Sequence, residues 1–364
     1  MESFEEKNQN GAPIKVLKRA FGFGQSAEVV LFAFIAALVF QIFAIPLFKD
    51  EGVYTWVVVI LNQVVFFGAV LIFCKVRSVS FFEMSGARRP PKPKYFLLIV
   101  PIAFFSVASF APIASLFTRW IAKAGYSYSP DYHINFFDPA IFTLSLLALA
   151  ILPAIAEECL MRGALLSGTK KRSPLFALLY TSFIFALFHG NAVQLVHQFL
   201  LAMTMGYLAL VTRSVWSSFA IHFLNNATAL LLDHGYLNGW IGEGFYSYFS
   251  AKLPAGAFAP FFALSWVFLL GALFAITLLL KRDKEEANGA PYEKARGGGV
   301  SRINAFLTYL SSPSEKDKER EAENEKIRFL DDEIRLAGEG VLHIVLVAIL
   351  IAVVVLGVIS EVLK

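Results

Sequence analysis

Residues 141–162 read IFTLSLLALAILPAIAEECLMR. From Ile141 to Ile155 the run carries no charge; Glu157 and Glu158 then stand side by side, with Arg162 just beyond. A run of this kind reads as a membrane span, and one charged side chain in the middle of a span costs roughly 2.5–3.5 kcal/mol on insertion scales. Two adjacent carboxylates therefore need a fold that shelters them and a chemistry that uses them.

The rest of the chain has the same character. Of its 364 residues 57% are hydrophobic, 37 are Phe and only 16% are charged, against about 25% charged in soluble domains. Nine runs read as spans, at about 27–48, 53–74, 96–118, 140–160, 174–189, 192–212, 215–232, 258–280 and 341–360. The expected fold is an all-α polytopic membrane bundle of about nine transmembrane helices around an intramembrane polar cavity. The first run is too long for a signal-peptide core, so no cleavable leader is expected. Cys74 and Cys159 lie in or beside apolar runs and are expected to be small buried hydrophobes, with no disulfide framework.

Charge sets the expected orientation. With a cytoplasmic N-terminus, every one of the 32 Lys and Arg residues except Lys49, Arg119, Lys123, Lys252 and Lys364 falls on the cytoplasmic side, as the positive-inside rule requires. The short Lys75–Lys94 and Lys170–Arg172 segments carry most weight. The expected location is an integral membrane one, the inner membrane if the cell is bacterial. The net charge of +4 calls for anionic lipid headgroups as partners rather than nucleic acid.

The polar residues concentrate in 140–232, which is read as the core of the protein. Residues 1–139 are expected to be a scaffold of three spans, and 233–280 to hold the eighth. Residues 281–340 form a charged segment with a flexible joint at Gly297-Gly298-Gly299. Beyond it Ile303, Phe306, Leu307 and Leu310 fall at i, i+3, i+4 and i+7, the stripe of an interfacial helix. Residues 314–336 are rich in Glu, Lys and Arg and predict a solvated helix that stops at Gly338. The last span, in 341–364, has His343 near its start.

Within the core, Glu158 and Arg162 are four apart with the acid first, the favourable geometry for an ion pair. Glu157 is rotated by about 100° from its neighbour and is left free to face a cavity. His222 and Asn226 share one helix face, where imidazole and carboxamide can donate to an oxyanion; helix-packing hydrogen bonds are the other use of such a pair. His189 can share a proton with Glu157. His197 reads as a helix-contact histidine, Asn225 as a packing amide, and Asp233-His234 as interfacial. Asn191 and Gln194 either line the cavity or cap a turn, and Tyr180 and Tyr207 read as packing.

Glu-Glu-x-x-x-Arg at 157–162, Phe-x-x-x-His at 185–189 and His-x-x-x-Asn at 222–226 follow one another on successive spans. This ordered set resembles the CAAX protease and bacteriocin-processing (Abi) family, which includes the type II CAAX prenyl endopeptidases. The resemblance implies an intramembrane, glutamate-dependent endopeptidase that needs neither metal nor cofactor and hydrolyses a peptide bond of a membrane-associated peptide or protein. By position, Glu157 would activate water with help from His189. His222 and Asn226 would form the oxyanion hole, and Glu158 and Arg162 would support the site.

Three rival readings exist. Glu157, His189 and His222 are ligand types for zinc, although no His-Glu-x-x-His motif occurs. A carrier also buries carboxylates and histidines, but the chain shows no paired halves. A scaffold or chaperone of the same fold without chemistry is the third. Depth is the test: a 140–160 span puts Glu157 near its cytoplasmic end, whereas His189 lies about 22 Å along its helix from Pro174. Tilt, or a span that begins deeper than its apolar edge, has to reconcile them.

Overall fold

The computed structural model describes residues 5–7, 13–44, 47–48, 50–126, 137–249, 259–295, 297–322, 327–330 and 339–362. Lys49, Lys252, Lys364 and Gly338 lie outside the described residues.

Each expected span has a helix. In chain order these are α1 (Phe23–Ala44) and α2 (Glu51–Val76), a short α3 (Phe81–Ser85), then α4 (Pro93–Ala122). The core follows as α5 (Pro139–Thr169), α6 (Pro174–Phe188), α7 (Leu195–Thr212) and α8 (Val215–Leu237). After the short α9 (Glu243–Phe249) comes α10 (Ala259–Asn288), then α11 (Gly299–Ser311), α12 (Glu315–Ala322) and α13 (Glu339–Val362). Seven of them are long and apolar enough to cross a membrane among the described residues. The two expected spans outside that set are α6, with 15 residues, and α8, whose apolar character is diluted by His222, Asn225, Asn226, Asp233 and His234. The fold is a helical membrane bundle.

The long α5 is the axis. It packs against α1, α2 and α8, while α6 and α7 form a hairpin beside it. The α4–α10 pair covers α8 and α7, and α13 closes the bundle against α1 and α6. Outward faces are strongly apolar: Leu97, Val100, Trp120, Val267, Ile344 and Leu356 are all more than half exposed, a surface suited to acyl chains and not to water. Apolar helices gain no hydrophobic energy by leaving lipid for one another, so close approach through small residues does the work. Gly168 shows it: a Cβ there would meet the Ser26 Cβ at 2.4 Å, so α5 and α1 touch backbone to side chain.

One end of the bundle is basic, and its ion pairs tie helices together. Asp283 accepts from Lys92 Nζ (2.7 Å), Lys94 Nζ (2.5 Å) and the Tyr95 hydroxyl (2.6 Å). This anchors α10 to the start of α4, so α10 continues through Lys281-Arg282 instead of opening into a linker. The stripe on α11 is not simply laid on a surface either. Leu307 and Leu310 are buried, α11 packs on α6 and α7, and Asn304 Oδ1 accepts from the Leu175 N–H (3.0 Å) and the Ser173 hydroxyl (2.9 Å) at the start of α6.

The expected helix over 314–336 is corrected. Its described part is the eight-residue α12 followed by a strand, β3 (Ile327–Leu330). That strand pairs in parallel with β2 (Pro13–Lys18), which pairs antiparallel with β1 (Glu5–Lys7). The sequence Ile-Arg-Phe-Leu has the β-branched and aromatic content of a strand; the charge of its surroundings masked it. Apart from this small sheet the described secondary structure is helical.

Candidate active site

The site is organised by an irregularity in α5. Residues Leu146–Ile151 and Cys159–Leu165 are π-helical turns on either side of the α-helical Leu152–Glu158. Pro153 supplies no N–H to the preceding ladder, which favours a widened turn there, and π turns frequently mark functional segments. Glu157 and Glu158 sit at the end of the short α-helical stretch, presented in different directions.

Glu158 and Arg162 are paired and dry. Arg162 Nη1 donates to Glu158 Oε1 at 2.8 Å, and the two side chains are 1% and 0% exposed. Arg162 Nη2 donates to the Ala202 carbonyl on α7 at 3.1 Å, and the guanidinium lies over the Phe185 ring, 4.7 Å from its centroid. The same Glu158 Oε1 accepts from His222 Nδ1 at 2.9 Å. This carboxylate thus joins α5 to α7 and α8, and it orients the imidazole so that Nε2 faces Glu157 Oε2, 4.0 Å away.

Glu157 has a different environment. Its Oε1 accepts one bond, from Gln63 Nε2 on α2 at 3.3 Å, while its buried Oε2 has no hydrogen-bond partner. It lines a cavity of about 240 Å³ together with Gln41, Asn62, Gln63, Phe188 and His189. His189 Nδ1 donates to the Phe185 carbonyl at 2.8 Å, which leaves Nε2 as the acceptor of the neutral ring. Phe185 sets both imidazoles, with edge contacts to His189 and His222 at centroid distances of 4.8 and 5.8 Å.

Asn226 Nδ2 donates to the Leu149 carbonyl at 3.1 Å, in the first π turn of α5, and its Oδ1 accepts from Asn225 Nδ2 at 3.2 Å. The second Nδ2 proton remains for another acceptor. His197 hydrogen-bonds Asn225, so an imidazole–amide–amide chain crosses from α7 to α8 and on to α5. Asn191 caps the turn before α7, accepting from the Gln194 N–H at 3.0 Å. His234 is buried and stacks on Phe142 at 4.2 Å, and Asp233 accepts from the Tyr246 hydroxyl at 2.9 Å. Tyr180 bonds His343 at 2.8 Å and Tyr207 bonds Thr277; neither lines the Glu157 cavity.

The depth problem resolves through helix limits. Because α5 runs to Thr169, Glu157 lies twelve residues, about 18 Å, inside that end, near the depth of His189 on α6. At the start of α8, Ser214 and Val215 line the same cavity as Arg162 and Leu166. The 2.9 Å contact from His222 Nδ1 to Glu158 Oε1 shows directly that His222 lies level with Glu158.

Gln63, Asn62 and Gln41 come from α1 and α2, spans expected from the sequence to be scaffold. Two adjacent amides in the middle of an apolar span were the available signal. Among the described residues no group of three or more His, Cys, Asp and Glu side chains is arranged to hold a metal ion.

No curated protein and no solved structure matches the chain. Residues 139–228 do match the family described as Type II CAAX prenyl endopeptidase Rce1-like, and this segment contains Glu157, Glu158, Arg162, His189, His222 and Asn226. The apolar helices and this family together point to an integral membrane protein of protease type. The match is consistent with the CAAX protease and bacteriocin-processing family, carried by the block that builds the buried site.

Proposed function

We propose that the protein is a glutamate-dependent intramembrane endopeptidase that cleaves a membrane-associated peptide or protein, oriented with its N-terminus in the cytoplasm. One observation carries this reading: of two adjacent glutamates, Glu158 is bonded to Arg162 and His222, whereas Glu157 keeps an oxygen without a hydrogen bond, 4.0 Å from His222 Nε2, beside a cavity shared with His189.

In this mechanism a water molecule sits between Glu157 and the acceptor Nε2 of His189. Glu157 takes its proton as the oxygen attacks the scissile carbonyl carbon. The carbonyl electron pair moves onto oxygen and is met by His222 Nε2 and the second Nδ2 proton of Asn226. For both His222 nitrogens to donate, the ring must carry both protons, and the carboxylates of Glu157 and Glu158 on either side supply the compensating charge. As the tetrahedral species collapses, the C–N bond breaks and the proton held by Glu157 passes to the leaving nitrogen. Glu158 and Arg162 hold His222 and the α5–α7 contact throughout.

The test is Glu157→Gln in proteoliposomes, read by proteomic comparison of membranes with wild-type protein and by cleavage of any substrate that emerges. Turnover should vanish while substrate capture persists. Wild-type cleavage by the variant sinks the mechanism. Loss of wild-type activity to a strong chelator, restored by zinc, transfers the water to a metal instead.

A further inference from the structure

A second cavity, of about 340 Å³, lies at the basic end of the bundle, within the size range of small-ligand sites (about 300–1,000 Å³). Six cationic side chains line it: Arg19, Arg89, Arg162, Lys170, Lys171 and Arg213. Glu83 is the one carboxylate in that lining among the described residues, bonded to Arg89 at 2.5 Å and facing Arg19 at 3.7 Å. The walls come from the loop after α5, the α7–α8 turn and α3. The roof is the end of α11, with Thr308, Ser311 and Ser312; the Ser311 and Ser312 hydroxyls donate to the Thr308 and Tyr309 carbonyls.

Lys170 decides the character of this space. Among the described residues its ammonium has no carboxylate or hydrogen-bond partner. Burial, and then the nearby charges of Arg213, Arg89 and Lys171, push it down to about 8. Arg89, Arg213 and Arg162 have counter-ions in Glu83, Asp317 and Glu158; Lys170 has none among the described residues, and holding it beside them is costly unless an anion joins it. The turn opposite is held too tightly to move away: Gly86 has φ +66°, and a Cβ there would meet the Arg213 carbonyl oxygen at 2.0 Å. Arginine forks and a lysine point charge are the means by which proteins hold phosphate oxygens.

We infer that this cavity is a binding site for a phosphate group, carried by a membrane lipid headgroup or free in solution, with Lys170 at its centre and α11 as its cover. The charged segment after α10 then has a purpose, closing the cavity from the aqueous side. The inference does not depend on the proposed hydrolysis.

The experiment uses the full chain in nanodiscs, with thermal unfolding as the readout. In zwitterionic lipid, inorganic phosphate is titrated against chloride of equal ionic strength; in a second arm, phosphatidic acid replaces part of the lipid with no phosphate added. A ligand that binds the folded state raises the melting midpoint in step with the logarithm of its concentration. Stabilisation in the first arm alone assigns free phosphate, and in the second alone a lipid headgroup. Where both stabilise and phosphate adds nothing once phosphatidic acid is present, one site takes either. Lys170→Gln should weaken the effect by roughly tenfold or more, as loss of a charge-assisted bond does; Lys170→Arg should keep it, and Lys294→Gln, exposed and outside the cavity, should leave it unchanged. No stabilisation of wild type in either arm, or equal response of wild type and Lys170→Gln, overturns the proposal.

Discussion

Replacing Arg162 with Met leaves Glu158 charged in a place without water. Both side chains of the pair are essentially unexposed, so no solvent screening softens the change. Breaking a buried pair by removing one partner costs about 3–5 kcal/mol. The structure places Arg162→Met in the lower half of that range, because His222 Nδ1 still donates to Glu158 Oε1 and because Glu158 Oε2 and Arg162 Nε have no partners to lose. Against that, the Ala202 carbonyl loses its donor and Phe185 its cation. A loss of about 3 kcal/mol shifts the folded-to-unfolded ratio by roughly 150-fold. The double variant Glu158→Gln/Arg162→Met removes both charges and should recover a substantial part of the loss. Equilibrium unfolding in mixed micelles across the four-protein cycle measures the coupling. If the double variant is no more stable than Arg162→Met alone, the uncompensated Glu158 charge is not the source of the cost, and the reasoning fails.

Other outcomes follow from single contacts. Gln63→Leu removes the donor to Glu157 Oε1, a 3.3 Å bond worth about 1 kcal/mol; we expect kcat to fall by roughly fivefold with KM nearly unchanged, measured on a cleaved peptide. His343→Ala breaks the bonds to the Phe23 carbonyl (2.9 Å) and Tyr180 (2.8 Å) and should destabilise the chain by about 1–3 kcal/mol, seen as a lower melting midpoint with earlier proteolysis at α13. Burial alone would raise the Asp317 carboxyl, but the Ser314 N–H and Arg213 outweigh it and hold it at about 2, below its ordinary 3.8. Its contribution is therefore complete above about 3.8 and lost as pH falls through about 2. Amide exchange in α12 should rise across that window, and Asp317→Asn should remove the pH dependence.

The helical membrane architecture was legible because apolar length alone selects helices in a bilayer, and Ile141–Ile155 announces it. The Glu158–Arg162 pair was legible too, since four residues on one helix bring two side chains together whatever surrounds them. Local spacing could not show that Gln63, on a span 94 residues before Glu157, would donate to it. Nor could it show that two π turns would rephase α5 and carry it to Thr169. The strand at Ile327–Leu330 stayed hidden for the same reason: its hydrogen bonds go to Pro13–Lys18, and β pairing over such a distance has no signature in the segment itself. The sequence by itself determined which groups had to be sheltered in the membrane. Only the tertiary structure decided which of two adjacent carboxylates was tied and which was left open, because that depends on what α2 and α8 bring to them.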